Sequence, residues 1–207
     1  MTSHRTPRSG PIVTENLASL PDIGPASIAW LRAIGIETVS GLRRLGPVRV
    51  VAYDPVWPEL FVAETARIRQ LLDPSLPIAL EHMGSTAIPG CAAKPVLDVL
   101  GGYPAGGDVR HYVTALGAAG YEHRGEQGIP GREFFRRGNP RSYHLHLAAE
   151  QGQFWRDHLA FRDALRGSDQ LRDAYVALKL ELARRFPNDR EAYIDGKTAF
   201  VRDVIAR

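Results

Sequence analysis

One stretch narrows the folds open to this chain more than any other. Residues 78–83 form an apolar strand that runs into Gly84-Ser85-Thr86, and a small-residue turn follows through Gly90. A second apolar strand, beginning at Val96, carries one acid, Asp98, in its middle. In a run otherwise suited to a buried strand, a lone carboxylate faces a site rather than the core. Gly84 and Ser85 offer backbone N–H groups and a hydroxyl that approach a phosphate closely, and Thr86 either joins them or caps the turn. Strand, glycine-serine bend and acid-bearing strand together form a layout for gripping a nucleoside triphosphate and its metal.

The surrounding pattern alternates strands and helices, which predicts an α/β (α+β) domain with a mixed sheet. Val48–Val51 reads as an edge strand. Pro58 fits the first turn of a helix reaching Leu72, before Pro74 and Pro77 break the chain. Strands are expected over 78–83 and 96–101, then a helix over 108–119 stopped by Gly120. Further strands follow at 121–124, 132–137 and 143–149. The last third reads as three helices, 153–165, 170–186 and 189–206, with Ser168 and Asn188 as N-caps. Ahead of all this, residues 1–13 read as a disordered arm. Residues 14–47 read as a compact helical segment in which Pro25 starts a helix and Gly35 ends it.

Composition matters at three points. A single cysteine, Cys91, excludes an internal disulfide and a cysteine-cluster zinc site, and no apolar run approaches the ~20 residues of a membrane span. With no signal-peptide core either, the expected location is cytoplasmic, with no membrane contact. Residues 1–50 hold six Arg against three acids, while the remainder balances 20 basic against 20 acidic groups. A broad nucleic-acid face is therefore open only to the first segment. Finally, the chain uses 23 Arg but only three Lys, at positions 94, 179 and 197. Each retained Lys marks either chance or a place needing a compact ammonium.

Two resemblances can now be named. Leu20-Pro21-Asp22-Ile23-Gly24-Pro25, Trp30-Leu31, Gly35-Ile36 and Leu42-Arg43-Arg44-Leu45-Gly46 resemble the C-terminal domain of TfoX-type proteins, relatives of the helix-hairpin-helix. That resemblance implies a protein- or DNA-docking role, although Pro25 removes one amide a DNA phosphate would use. From residue 48 onward the chain resembles the GrpB family, a branch of the nucleotidyltransferase superfamily. The matching stretches are Tyr53-Asp54-Pro55-Val56-Trp57-Pro58, Glu81-His82-Met83-Gly84-Ser85-Thr86 and Lys94-Pro95-Val96-Leu97-Asp98. They continue with Gly131-Arg132-Glu133-Phe134-Phe135, His144-Leu145-His146-Leu147, His158-Leu159-Ala160-Phe161-Arg162-Asp163, Leu178-Lys179, Asp189-Arg190-Glu191-Ala192-Tyr193 and Gly196-Lys197.

The superfamily resemblance implies Gly84 and Ser85 as the phosphate turn, with Asp98, separated from Ser85 by twelve residues, as a metal-holding acid. A second acid is implied two positions on, yet that position is Leu100. His144 and His146 stand where the superfamily places a third acid, and on a strand their side chains share one face. An Asp98–His144–His146 cluster, which His82 or Glu81 can extend, suits a divalent metal: magnesium, manganese or zinc, with imidazole favouring the latter two. Without metal, the same histidines can bond phosphate or act as a base. Lys94 is placed to reach a phosphate or Asp98. Arg132 shares a strand face with Phe134 and Arg136, either toward substrate or toward solvent. Lys179 and Lys197 turn either to the pocket or to helix ion pairs, for Lys197 with Asp195 or Glu191. Two functions remain open: metal-dependent nucleotidyl transfer from a nucleoside triphosphate to a small acceptor, or a degenerate nucleotide- or anion-binding protein with an N-terminal docking module.

Overall fold

The computed structural model describes residues 48–138 and 142–206. The chain divides into two units, 1–46 and 47–207. The arm expected over 1–13 and the TfoX-like segment expected over 14–47 lie outside the described residues.

The second unit runs α1 (Trp57–Leu71), β1 (Ala79–Met83), a 3-10 turn (Ser85–Ala87), β2 (Leu97–Tyr103), α2 (Val109–Ala118), β3 (Glu122–His123), β4 (Glu133–Arg137) and β5 (Tyr143–Ala149). Four helices follow: α3 (Gln153–Arg166), α4 (Asp169–Arg185), α5 (Arg190–Asp195) and α6 (Thr198–Ile205). Local chemistry sets the helix boundaries. A proline occupies the first turn of α1. Asp108 accepts the Arg110 amide at 3.0 Å to open α2, and Ser168 accepts the Leu171 amide at 3.3 Å to open α4.

Three expectations need correction. Val48–Val51 forms no strand; it contributes one bridge, Val51 to Ala93. The expected helix over 189–206 is two helices that part at Gly196-Lys197. Gly196 lies against Leu182, where an added Cβ would come within 2.5 Å of Cδ2, so the chain turns there in close contact with α4. The cap of α5 is Asp189 rather than Asn188, its carboxylate accepting the Ala192 amide at 3.0 Å.

The five strands form one mixed sheet in the order β1-β2-β5-β4-β3. β2 and β5 pair in parallel, and all other neighbours are antiparallel. The domain is therefore mixed α/β, of the nucleotidyltransferase-like class that the sequence predicts.

Strand alternation divides the sheet into two faces. Leu80, Val99, Phe135, Leu145 and Leu147 point one way and pack with Ile68 and Leu72 from the α1 region and Tyr112 and Leu116 of α2. Each such burial contributes roughly 1.5–3 kcal/mol against the cost of ordering the chain. This core also contains an ion network. Glu64, 3% exposed, is held by Arg67, Tyr121 and Arg137. Burial alone would raise its pKa; hydrogen bonds from those three partners outweigh burial and lower it.

The other face is covered partly by α3. Met83, Leu100 and Trp155 form an apolar cluster there. Trp155 lies so near Gly102 that a Cβ would meet Cζ3 at 2.5 Å. Beyond that contact the face carries polar residues.

Candidate functional site

Register decides which residues meet on this face. Met83 lies opposite Asp98 across the β1–β2 pair, while Asp98 lies beside His144 and Leu100 beside His146 across β2–β5. Asp98, His144 and His146 therefore point to the same side. Nδ1 of His144 is 3.0 Å from Asp98 Oδ1, and Nε2 of His146 is 3.5 Å from the same oxygen. All three can offer a ligand atom with every pair within 4.8 Å. Around an ion with bonds of about 2.1 Å, neighbouring donors lie about 3.0 Å apart at right angles and about 3.4 Å apart at tetrahedral angles. The two observed separations match those edges.

Electrostatics fit the same description. Burial would raise the Asp98 pKa, but the hydrogen bond from His144 and the close approach of His146 outweigh it and hold the carboxyl well below its usual range. His146 is pushed down to about 4, chiefly by burial and against the pull of Asp98. Its imidazole is thus neutral at pH 7, the form that binds metals. Nε2 of His144 and both ring nitrogens of His146 are buried without a hydrogen-bond partner. Buried polar atoms are rarely left so; an imidazole gives an ion one nitrogen, and Nε2 of His146, 3.5 Å from Asp98 Oδ1, is the orphan that lies in the donor set.

The glycine-serine bend lies against this cluster. Gly84 has φ +71°, and an added Cβ would sit 2.6 Å from Asp98 Oδ2. Only glycine allows both the left-handed backbone and that approach. Gly84 and Ser85 are partly exposed. Ser85 is in hydrogen-bonding contact with Tyr175 of α4.

Two residues proposed as extra metal ligands are not in the cluster. His82 faces the opposite side of the sheet, 6% exposed, with Nε2 3.0 Å from Thr86 Oγ1 and its ring stacked 4.7 Å from Phe61. Burial pushes it down to about 4. Glu81 shares the face of Asp98 but accepts from Arg162 Nη1 at 2.7 Å. Adjacent strand residues cannot both face Asp98, so at most one of the two was available. Thr86 is likewise corrected: it is 1% exposed, and its hydroxyl is engaged by His82 rather than presented beside Ser85.

The three lysines converge, although 102 residues lie between the first and the last. Lys94 and Lys197 place their ammonium groups 5.1 Å and 4.6 Å from the centre of one ring, Tyr193. Lys179, 2% exposed, lies over Tyr175 at 4.5 Å and donates to Cys91 Sγ at 3.1 Å and to the Ala92 carbonyl. Burial pushes Lys197 down to about 7, helped by the charges of Lys94 and Lys179 and opposed by Asp98. That mutual influence places the lysines and the aspartate in one electrostatic neighbourhood. Among the described residues neither Lys179 nor Lys197 has a carboxylate partner, so the ion pairs with Asp195 or Glu191 are not formed.

Arg132 flanks the cluster on the β4 side, with Phe134 paired to His146 and Arg136 to His144. No site role for Phe154 or His158 was legible in the sequence. Phe154 stacks on His146 at 6.0 Å and on His158 at 3.9 Å. His158 belongs to one of the stretches that carry the family resemblance, the signal that could have drawn it in. Tyr193 gave a similar hint, lying four residues before Lys197 across a helix break.

Fold and site together define a nucleotidyltransferase-like domain whose sheet presents a carboxylate and two imidazoles beside a glycine-serine bend. The chain belongs to the GrpB family, whose model, described as GrpB protein, matches residues 47–207. It is 31% identical over 166 residues to the glutamate-rich protein GrpB of Alkalihalophilus pseudofirmus, covering 77% of this chain and 95% of that protein. It is 35% identical over 156 residues to the UPF0157 protein YqkA of Bacillus subtilis, covering 75% of this chain but only 45% of that longer protein. A crystal structure of the conserved protein GrpB from Enterococcus faecalis superposes with a TM-score of 0.69 at 33% identity, over 76% of this chain and 95% of that one.

Proposed function

We propose that this protein is a metal-dependent nucleotidyltransferase. It binds a nucleoside triphosphate across the Gly84-Ser85 bend and passes the nucleotidyl group to a small acceptor. The observation that carries the reading is the Asp98–His144–His146 cluster, with the orphaned Nε2 of His146, set against a glycine that admits no side chain. Asp98, His144 and His146 would hold the ion; two nitrogens and one carboxylate suit manganese or zinc better than magnesium. When bound, it would supply positive charge to the phosphoryl oxygens.

The protein's own residues do the remaining work. The Ser85 region and its exposed backbone position the phosphates. Lys94 and Lys197 supply compact cations where the terminal phosphates carry most charge, and they neutralise pyrophosphate as it leaves; Lys179, engaged by Cys91 and the Ala92 carbonyl, adds only its field. The acceptor oxygen forms a bond to the α-phosphorus while the bond to the bridging oxygen breaks. The acceptor's proton passes to a base or water, and pyrophosphate departs with the bond electrons.

One observation favours the second reading, a nucleotide- or anion-binding protein without turnover. Leu100 stands at the second acid position and is fully buried against Met83 and Trp155, so no carboxylate completes a two-metal arrangement there. The deciding experiment incubates purified protein with α-labelled triphosphates and Mn²⁺ or Zn²⁺. Nucleotidyl transfer requires pyrophosphate release that Asp98→Asn abolishes. Triphosphate binding with no release under any metal assigns the protein to the second class. Any docking role for residues 14–47 is tested by deleting them and comparing nucleic-acid and protein capture.

A further inference from the structure

Arg132 is the most buried arginine among the described residues, at 7% exposure, and it forms no ion pair there. Its Nη2 donates to the Glu126 carbonyl at 2.7 Å and approaches that of Gln127 at 3.3 Å. Both carbonyls belong to a loop in which Gly125, Gln127, Gly128 and Gly131 all take positive φ, so the backbone is bent to present them. Nε of Arg132 is buried and has no partner. The guanidinium lies over Phe134 at 5.1 Å and beside Phe154 at 6.0 Å. A guanidinium desolvated this way, aimed by carbonyls but joined to no carboxylate, keeps unused capacity for an oxyanion.

The position of this group is informative. Phe154 carries Arg132 on one flank and His158 on another, and the same ring stacks on His146. Nδ1 of His158 lies 2.7 Å from the Phe154 carbonyl and donates to it, which leaves Nε2 with its lone pair. Phe134, Phe154 and His158 are each partly exposed. Arg132 therefore borders the histidine cluster through aromatic rings, at the β4 side of the sheet. The lysines instead gather about Tyr193 and Tyr175, on α4 and the segments before β2 and after α5.

We infer that Arg132, with the walls of Phe134, Phe154 and His158, forms the acceptor's subsite and recognises a small hydroxylated acid through its oxyanion. The reading rests on the nucleotidyl transfer proposed above for the identity of the ligand as acceptor, but not for the binding itself. The oxyanion is a carboxylate or a phosphate monoester. A hydroxyl of the same molecule is left to accept the nucleotidyl group, near the free nitrogen of His158.

The test is binding, read on the full-length protein without metal. In ¹⁵N spectra the Nε–Hε signal of Arg132, assigned by its loss in Arg132→Lys, is followed during titration with glycerate, glycerol 3-phosphate and glycerol. The expected result is a saturable shift with one or both acids and none with glycerol. The two acids separate carboxylate from phosphate recognition. Calorimetry should show binding about tenfold weaker in Arg132→Gln, the scale of one charge-assisted hydrogen bond. A signal that no acid moves, equal binding of glycerol, or equal binding by native protein and Arg132→Gln overturns the inference. The native titration stands even if a variant fails to fold. A saturable Arg132 shift in a protein that releases no pyrophosphate would remove the transferase reading and leave the subsite intact.

Discussion

Replacing Lys197 with methionine should stabilise the free protein and weaken its grip on triphosphate, two effects of opposite sign from one change. Methionine keeps most of the apolar stem and removes the charge. In the fold the Lys197 pKa falls from the usual 10.5 to about 7, mainly through burial and then through Lys94 and Lys179. At about 1.4 kcal/mol per tenfold change in proton affinity, this sets a ceiling of roughly 5 kcal/mol. The side chain is only partly buried, so water recovers part of that, and we expect about 1–3 kcal/mol. Because the folded protein binds the proton less tightly than the unfolded chain, the cost is fully present below pH 7. It shrinks as pH rises toward 10.5, where both states are neutral. Urea unfolding of the two proteins from pH 6 to 10 reads this directly. Lys197→Met should be the more stable at pH 6, and the gap should close toward pH 10. Triphosphate should bind it at least about tenfold more weakly at pH 7, since one phosphate–ammonium contact is lost. A variant that is no more stable at pH 6, or a gap that does not change with pH, would show that the three ammonium groups do not strain one another.

Other perturbations follow from the same geometry. Gly84→Ala forces a Cβ to within 2.6 Å of Asp98 Oδ2 at φ +71°, so metal affinity should fall at least about tenfold, read by calorimetry. Glu64→Gln leaves Arg67 and Arg137 without their buried carboxylate; thermal unfolding should show a loss of about 3 kcal/mol with the metal site unchanged. His82 is held to about 4 by burial, so the native protein should lose stability as pH falls from 6.5 toward 4. His82→Asn should flatten that slope, in an acid-unfolding series, by roughly 2–3 kcal/mol.

The strands that build the site were legible because alternation is a local property. β5 begins and ends where its sequence indicates, and His144 and His146 had to share a face whatever the partner strand. Facing Asp98 was a matter of register, which a parallel β2–β5 pair with 39 residues between its strands does not announce. The same alternation could have removed one of Glu81 and His82 from the ligand set, since neighbours on a strand diverge. Knowing which one required the Met83–Asp98 pairing.

Less was readable where tertiary contacts decide. Tyr193, Val201 and Val204 continue an apolar helical spacing across Gly196, yet the chain breaks there because Leu182 occupies the space a side chain would fill. Val48–Val51 has strand-forming residues but finds only one bridging partner. The scarcity of lysine marked three positions, and their meeting at one tyrosine depends on α4, α5 and the loop before β2 arriving together. Arg132 could be placed on a strand face from spacing alone; its unpartnered Nε and the loop carbonyls that aim it could not.

The claim on which the account depends most is that Asp98, His144 and His146 share one ion. Titration of metal-free protein with Mn²⁺, followed by electron paramagnetic resonance, measures this without reference to any substrate. The account predicts saturation at one ion per chain, with hyperfine structure from coordinated nitrogen and loss of binding in Asp98→Asn and in His146→Gln. No saturable binding of Mn²⁺, or binding that both variants retain, would contradict it.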